Sequence, residues 1–63
     1  PENEEMMFWH AAMLANNGRW DEALPLFSKA FTRNHRWREA VPDLARLGHL
    51  RLSPEQVDLI IKL

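Results

Sequence analysis

Histidines are the residues of this chain best suited to hold a metal ion, because the sequence contains no cysteine. His10, His35 and His49 are far apart, and no two of them have the i, i+4 spacing that places two imidazoles on one helix face. A zinc site would need three distant segments to converge. We therefore predict no metal site and no cofactor. We expect His10, which lies among apolar residues, to be a core or interface histidine.

Patterns for nucleophilic and acid–base catalysis are equally weak. Ser28 and Ser53 have no histidine at a suggestive spacing, and Ser53 is better explained as a helix cap. Asp21 and Glu22 are adjacent, but their position suits the start of a helix. A chain of 63 residues also has little room for a pocket that excludes water. We predict that the chain is not an enzyme.

A basic cluster offers one alternative function. It consists of Arg33, His35, Arg36, Trp37 and Arg38. Arginines beside an aromatic ring can hold phosphates and stack on a base. However, acidic residues follow the cluster, and the formal charge of the chain is −1. Nucleic-acid binding through this patch is therefore a minor alternative.

Length and charge limit the architecture. A domain of 63 residues buries only about 60% of the surface of its unfolded chain, so its stability should be marginal. No apolar run reaches 18 residues and the acidic start lacks the basic region of a signal peptide, so we expect a soluble chain of unknown compartment. Its start without methionine suggests a domain excised from a longer protein. The net charge is −3 over 1–32 and +2 over 33–63, which suits either a solvated surface or head-to-tail contacts between copies.

Residues 11–30 predict two amphipathic helices joined by a turn at 16–18. One face of the first helix, over 4–17, carries Met7, His10, Ala11 and Leu14. A second apolar stripe, roughly opposite, carries Met6, Trp9 and Met13. Such a helix normally has neighbours on both sides. We expect the second stripe to be wrapped by the C-terminal segment, with a second copy or a missing part of a parent protein as alternatives.

Glycine and acidic residues predict where the second helix begins. Gly18 is expected to close the first helix in the left-handed conformation, and Asp21 to cap the second. Pro25 is placed near the helix start, where its missing N–H costs little. The expected apolar face consists of Ala23, Leu24, Phe27, Ala30 and Phe31.

The segment 37–44 repeats the pattern of 20–27, with tryptophan, glutamate, alanine and proline in the same places. This echo predicts a third helix from about Arg38 to Leu47 that ends at Gly48. Its inward residues are expected to be Val41, Leu44, Ala45 and Leu47. An extended connector over 49–52 then leads to a short helix, which begins with a capping box at Ser53 and docks through Val57, Ile60 and Ile61.

The run from Gly18 to Leu24, followed by Phe27 and Ala30, resembles the tetratricopeptide repeat, a helix-turn-helix unit of 34 residues. The pattern positions of that family are filled here by Met7, His10, Ala11, Leu14, Gly18, Ala23, Phe27, Ala30 and His35. The second-helix half fits, whereas His10 and His35 depart from the leucine and proline of the family. The resemblance implies an all-α domain over 1–63: a repeat-like antiparallel hairpin over about 4–37, a third helix over 38–47, and a connector with a short C-terminal helix over 49–63.

More loosely, the motifs Phe8-Trp9-His10, Asn17-Gly18-Arg19 and Trp37-Arg38-Glu39 look like a small bacterial C-terminal domain described as peptidoglycan-binding. That domain is appended to proteins similar to Ntn hydrolases. This second resemblance implies a cell-wall glycan as an alternative partner.

The tetratricopeptide resemblance implies a groove that binds a protein or peptide. The second apolar stripe of the first helix separately predicts self-association. We therefore expect a non-catalytic module for protein interaction or self-association that uses an apolar face of its first helix. The family's carboxylate clamp needs lysine and asparagine where this chain has Phe8 and Ala12, so an acidic peptide terminus is not expected. Phe8, Trp9 and Met13 instead suggest an apolar anchor, although they suit a core equally well. The predicted partner-binding residues are Phe8, Trp9, Ala12, Met13, Asn16, Pro42, Arg46 and His49.

Overall fold

The computed structural model describes residues 3–63, which form four helices and no strand. Glu2, which contributes to the acidic start, lies outside the described residues. The helices are α1 (Glu4–Asn16), α2 (Trp20–Arg33), α3 (Arg36–Leu47) and α4 (Pro54–Ile61). The predicted all-α class is confirmed.

Local sequence signals define both ends of α1. The side chain of Asn3 caps its start by accepting a hydrogen bond of 2.7 Å from the Met6 amide. At its end, Gly18 adopts the left-handed conformation with φ of 79°. The amides of Gly18 and Arg19 donate to the carbonyls of Ala15 and Leu14, the two bonds of a Schellman motif. The predicted role of Gly18 is confirmed.

The start of α2 differs from the sequence prediction. Arg19, rather than Asp21, is the N-cap residue, and no side chain caps the helix. The turn after α1 is so tight that the Arg19 carbonyl already accepts the first helical hydrogen bond, from the Ala23 amide at 3.1 Å. Asp21 and Glu22 still lie in the first turn, where their negative charges interact favourably with the positive end of the helix dipole.

Two prolines lie deeper inside their helices than expected. Pro25 is preceded by five residues of α2, and Pro42 by six residues of α3. Each lacks the amide hydrogen that would bond to the carbonyl four residues earlier, at Asp21 and Arg38. Both proline side chains are exposed. Pro25 therefore lies two residues, about half a turn, further from the helix start than predicted.

Helix α3 begins at Arg36, two residues earlier than predicted, because the Asn34 side chain accepts a hydrogen bond from the Arg36 amide at 3.1 Å. It ends at Gly48, which has φ of 87°, as predicted. Val41 is buried, and Leu44 and Ala45 are half-buried. Leu47 is exposed, contrary to expectation, because it is the last residue of α3 and lies about 120° around the helix from buried Val41.

The connector and α4 follow the prediction closely. Ser53 and Gln56 form a reciprocal capping box, with bonds of 3.0 and 3.1 Å. Leu50 of the connector and Ile60 of α4 are buried in the core. The short helix therefore docks through the face that the sequence indicated.

Helices α1 and α3 run in the same direction. At their starts, the Glu4 carboxylate accepts hydrogen bonds from Asn34 Nδ2 at 2.9 Å and from Trp37 Nε1 at 3.4 Å. At their ends, the Asn16 side chain bonds to the backbone that follows α3. Helix α4 returns along α3, so that Arg38 Nη2 donates to the Leu63 carbonyl at 2.6 Å. The shared core between the helices includes Phe8, Phe27, Val41 and Ile60.

Candidate interaction surface

Met6, Trp9 and Met13 form an exposed row along α1, which we call the apolar stripe. Their exposed fractions are 58%, 44% and 53%. Spacings of three and four residues place them on one side of the helix. Residues 49–63 do not cover this side, so the expectation of a wrapped second stripe is wrong. The buried side of α1 instead carries Met7, Phe8, Ala11, Ala12, Leu14 and Ala15.

Trp9 is supported by the core beneath it. Its ring meets Phe8 edge-on, with centroids 5.2 Å apart and an interplanar angle of 80°. Phe8 in turn stacks on Trp37 at 4.6 Å and contacts Phe27 at 5.8 Å. A nearly half-exposed indole is therefore held against a rigid aromatic cluster.

Two predicted partner-binding residues belong to the core. Phe8 is fully buried and Ala12 is 3% exposed. The groove pattern placed them on an open face, but α1 turns this side towards the aromatic cluster of Phe27 and Trp37. Neither side chain belongs to the surface that a partner would meet.

His10 is exposed, so it is not a core histidine; its place at an interface stays a prediction. His10 has the helical spacing of the buried residues Met7, Ala11 and Leu14, but it lies at the solvent-exposed edge of the face that they form. This edge borders the apolar stripe of α1, because His10 directly follows Trp9 and precedes Met13 by three residues. His10 therefore flanks the candidate surface.

Asn16 and His49 are brought together, although they are distant in sequence. Asn16 Nδ2 donates to the His49 carbonyl at 3.0 Å, and Asn16 Oδ1 accepts from the Arg51 amide at 2.8 Å. One amide side chain thus satisfies a donor and an acceptor of the extended connector. Asn16 thus holds the connector against the end of α1, and the His49 side chain stays exposed.

Pro42 and Arg46 are exposed on α3. Arg46 Nη2 lies 3.0 Å from Asp43 Oδ1, in an ion pair one turn apart on the same helix. Among the contacts of the described residues, no hydrogen bond, ion pair or ring contact joins either residue to α1. The structure does not unite them with the apolar stripe.

Several exposed apolar residues were absent from the predicted site. Met6 belongs to the apolar stripe but was not among the predicted partner-binding residues. Its spacing of three residues from Trp9 could have identified it. Leu47, Leu59 and Leu63 are also exposed. Leu59 does not have the helical spacing of Val57, Ile60 and Ile61, which form the docking face of α4. The sequence could therefore have identified Leu59 as exposed.

Two side chains of the basic patch over 33–38, those of Trp37 and Arg38, are engaged within the fold. Trp37 stacks on Phe8 and is half-buried. The guanidinium carbon of Arg38 lies 5.2 Å from the centroid of the Phe31 ring, while its Nη2 bonds to the Leu63 carbonyl. The aromatic ring needed for stacking on a base is therefore occupied by the core.

Other site types find little support among residues 3–63. No group of three or more histidine and acidic side chains is placed to hold a metal ion in this range. A shallow depression of about 420 Å³ between α1 and α2 is lined by Met7, Ser28, Lys29, Thr32 and Arg33. Within the same range, no helix combines the length and apolar character needed to cross a bilayer.

Comparison with protein-family models, curated proteins and solved structures found no match for this chain.

Proposed function

We propose that this chain is a non-catalytic interaction module that contacts another polypeptide through the apolar stripe of α1. The single observation that carries the proposal is the row of Met6, Trp9 and Met13, each about half exposed on one side of an ordered helix. Contiguous exposed apolar side chains are typical of contact surfaces. Single exposed residues, in contrast, need no such explanation.

The composition of the stripe favours a protein partner. Tryptophan is enriched among the residues that dominate binding energy, and methionine adapts its shape to a facing surface. Trp9 is already positioned by Phe8, so little side-chain freedom is lost on binding. A helix that presents such a row suits contact with a helix or groove of another chain.

A glycan partner is the alternative, and the exposed Trp9 beside His10 is the observation that favours it. An indole face can stack on a sugar ring. However, Met6 and Met13 flank the indole and offer no good hydrogen-bond partner to sugar hydroxyls. The same surface therefore suits a polypeptide better.

Site-specific photocrosslinking tests the proposal. A photoreactive phenylalanine analogue at position 13 should crosslink to a polypeptide, either another copy or a different protein in extracts of cells that make the chain. Unlabelled chain should compete with this crosslink, and a Met6→Glu variant should compete poorly. The same analogue at position 29, exposed on α2, is the matched control.

Two results would overturn the proposed function. One is equal crosslinking from positions 13 and 29, which would show that the stripe is not a specific contact. The other is the absence of any competed crosslink. If purified peptidoglycan then retained the chain and Trp9→Ala abolished that retention, the glycan alternative would be favoured.

A further inference from the structure

Together with His10, the apolar stripe of α1 forms a pattern with the same spacing in both directions along the helix. Met6 precedes Trp9 by three residues, and Met13 follows His10 by three. The centre of this pattern lies between Trp9 and His10. A two-fold axis through that point would place Met6 of one copy beside Met13 of a second copy. It would also bring the two Trp9–His10 pairs together.

We propose that the partner of the apolar stripe is a second copy of this chain, packed through α1 in an antiparallel, two-fold symmetric pair. This inference rests on the proposed function of the stripe. Two-fold dimers are the commonest oligomers of soluble proteins, and their interfaces must be self-complementary. The spacing of Met6, Trp9, His10 and Met13 meets that requirement.

Charges beside the stripe favour the antiparallel orientation. Glu5 is exposed near the start of α1, and Arg51 lies near its end because the Arg51 amide bonds to Asn16. Glu5 and Asn16 are eleven residues apart, about three helical turns, so they share one flank of the helix. Antiparallel packing brings Glu5 of each copy towards Arg51 of the other. Parallel packing would instead leave each Glu5 at the opposite end of α1 from Arg51 of the other copy.

A head-to-tail contact between α1 and the exposed Leu59 of α4 fits less well. Helix α1 contains two acids and no lysine or arginine. Beside Leu59, α4 carries Glu55 and Asp58, and Lys62 follows the helix. Such a contact would bring together two surfaces that are both acidic. The antiparallel pair instead faces each Glu5 with Arg51 of the other copy and closes at two copies.

The expected dimer is weak and reversible. Helix α1 has 13 residues and is about 20 Å long, so two such helices bury a contact at the small end of the range for specific interfaces. We expect a dissociation constant on the order of 10 µM. The rigid support of Trp9 by Phe8 limits the entropy lost on association.

Light scattering over about 1 µM to about 1 mM measures the association. The mass should rise and level off at two chains. Met6→Glu and Met13→Glu should each raise the dissociation constant at least about tenfold, because each buries a charge against apolar side chains. Leu59→Glu, which alters an equally exposed apolar residue on α4, is the matched control and should not weaken the dimer. Circular dichroism of each variant verifies that the helices remain.

Disulfide trapping determines the orientation, because the chain has no native cysteine. When Met6→Cys and Met13→Cys chains are mixed and oxidised, antiparallel packing predicts mostly mixed disulfides between positions 6 and 13. Equal positions would lie about 10 Å apart along the helix axis, too far for a bond. A predominance of 6–6 and 13–13 disulfides would overturn the proposed orientation.

Other outcomes separate this inference from the proposed function. A monomer at every concentration would overturn the dimer, as would a mass that grows beyond two chains. If position 13 still gave a competed crosslink to a different protein, the interaction module would stand without its proposed partner. If that crosslink were also absent, both proposals would fail.

Discussion

Asn16 joins the end of α1 to the connector that follows α3. Its amide both donates to the His49 carbonyl and accepts from the Arg51 amide, so it pairs two backbone groups of an extended segment. Asparagine suits this position because its side chain carries a donor and an acceptor on one planar group. The side chain of neighbouring Asn17 donates instead to the Met13 carbonyl, one turn earlier in α1. Asn16 therefore links two segments that are distant in sequence, whereas the Asn17 side chain makes a local bond.

Asn16→Ala should destabilise the chain by about 1–2 kcal/mol, because it removes two hydrogen bonds to the connector. Urea unfolding followed by circular dichroism would measure the loss. Asn17→Ala is the matched control and should cost clearly less, since its bond spans one turn of α1. Equal losses for the two variants would contradict the role assigned to Asn16.

Helices α1 and α3 end in the same way. Gly18 and Gly48 both have positive φ, and in each case the following amide donates to a carbonyl five residues earlier. A Cβ atom at either glycine would meet no atom within 4 Å. Any cost of substitution therefore comes from the backbone conformation and not from a clash.

Gly18→Ala and Gly48→Ala should each destabilise the chain by about 1 kcal/mol, because an L-residue is strained in the left-handed region. Gly18→Asn should cost less, since asparagine tolerates this conformation better. Thermal unfolding of the three variants would test the expectation. An alanine variant as stable as the parent chain would show that the turn can be rebuilt without positive φ.

At the scale of the whole molecule, the four helices share a small core. The radius of gyration is 10.3 Å, close to the roughly 10.6 Å typical of a compact chain of this length. Ile60 of α4 is fully buried in this core, whereas its neighbour Leu59 is 55% exposed. Because a core of this size supplies only a few kcal/mol of net stability, α4 should be needed for the rest of the fold.

Ile60→Ala should destabilise the whole chain by about 2–5 kcal/mol, enough to unfold a marginal domain. Leu59→Ala, on the same helix, should change stability by less than about 1 kcal/mol. Circular dichroism at 222 nm during urea unfolding would compare them. If Ile60→Ala lost only the signal of one short helix, α4 would not belong to the cooperative unit.

The sequence by itself determined the elements whose signals are local. The capping box at Ser53 and the glycines at 18 and 48 each act over a few residues, so the helix ends they define were predicted correctly. The start of α2 was predicted at the wrong residue because the end of α1 and the start of α2 share Arg19. Arg19 completes the Schellman motif of α1, and its carbonyl also opens the next helix.

Only the tertiary structure decided which side of α1 is buried. That helix carries large apolar residues on both sides, so periodicity alone could not separate the core residue Phe8 from exposed Trp9 and Met13. The decision comes from contacts distant in sequence, such as Phe8 with Trp37 and Asn16 with the connector. These contacts depend on how four helices share one small volume, and short-range patterns do not encode that packing.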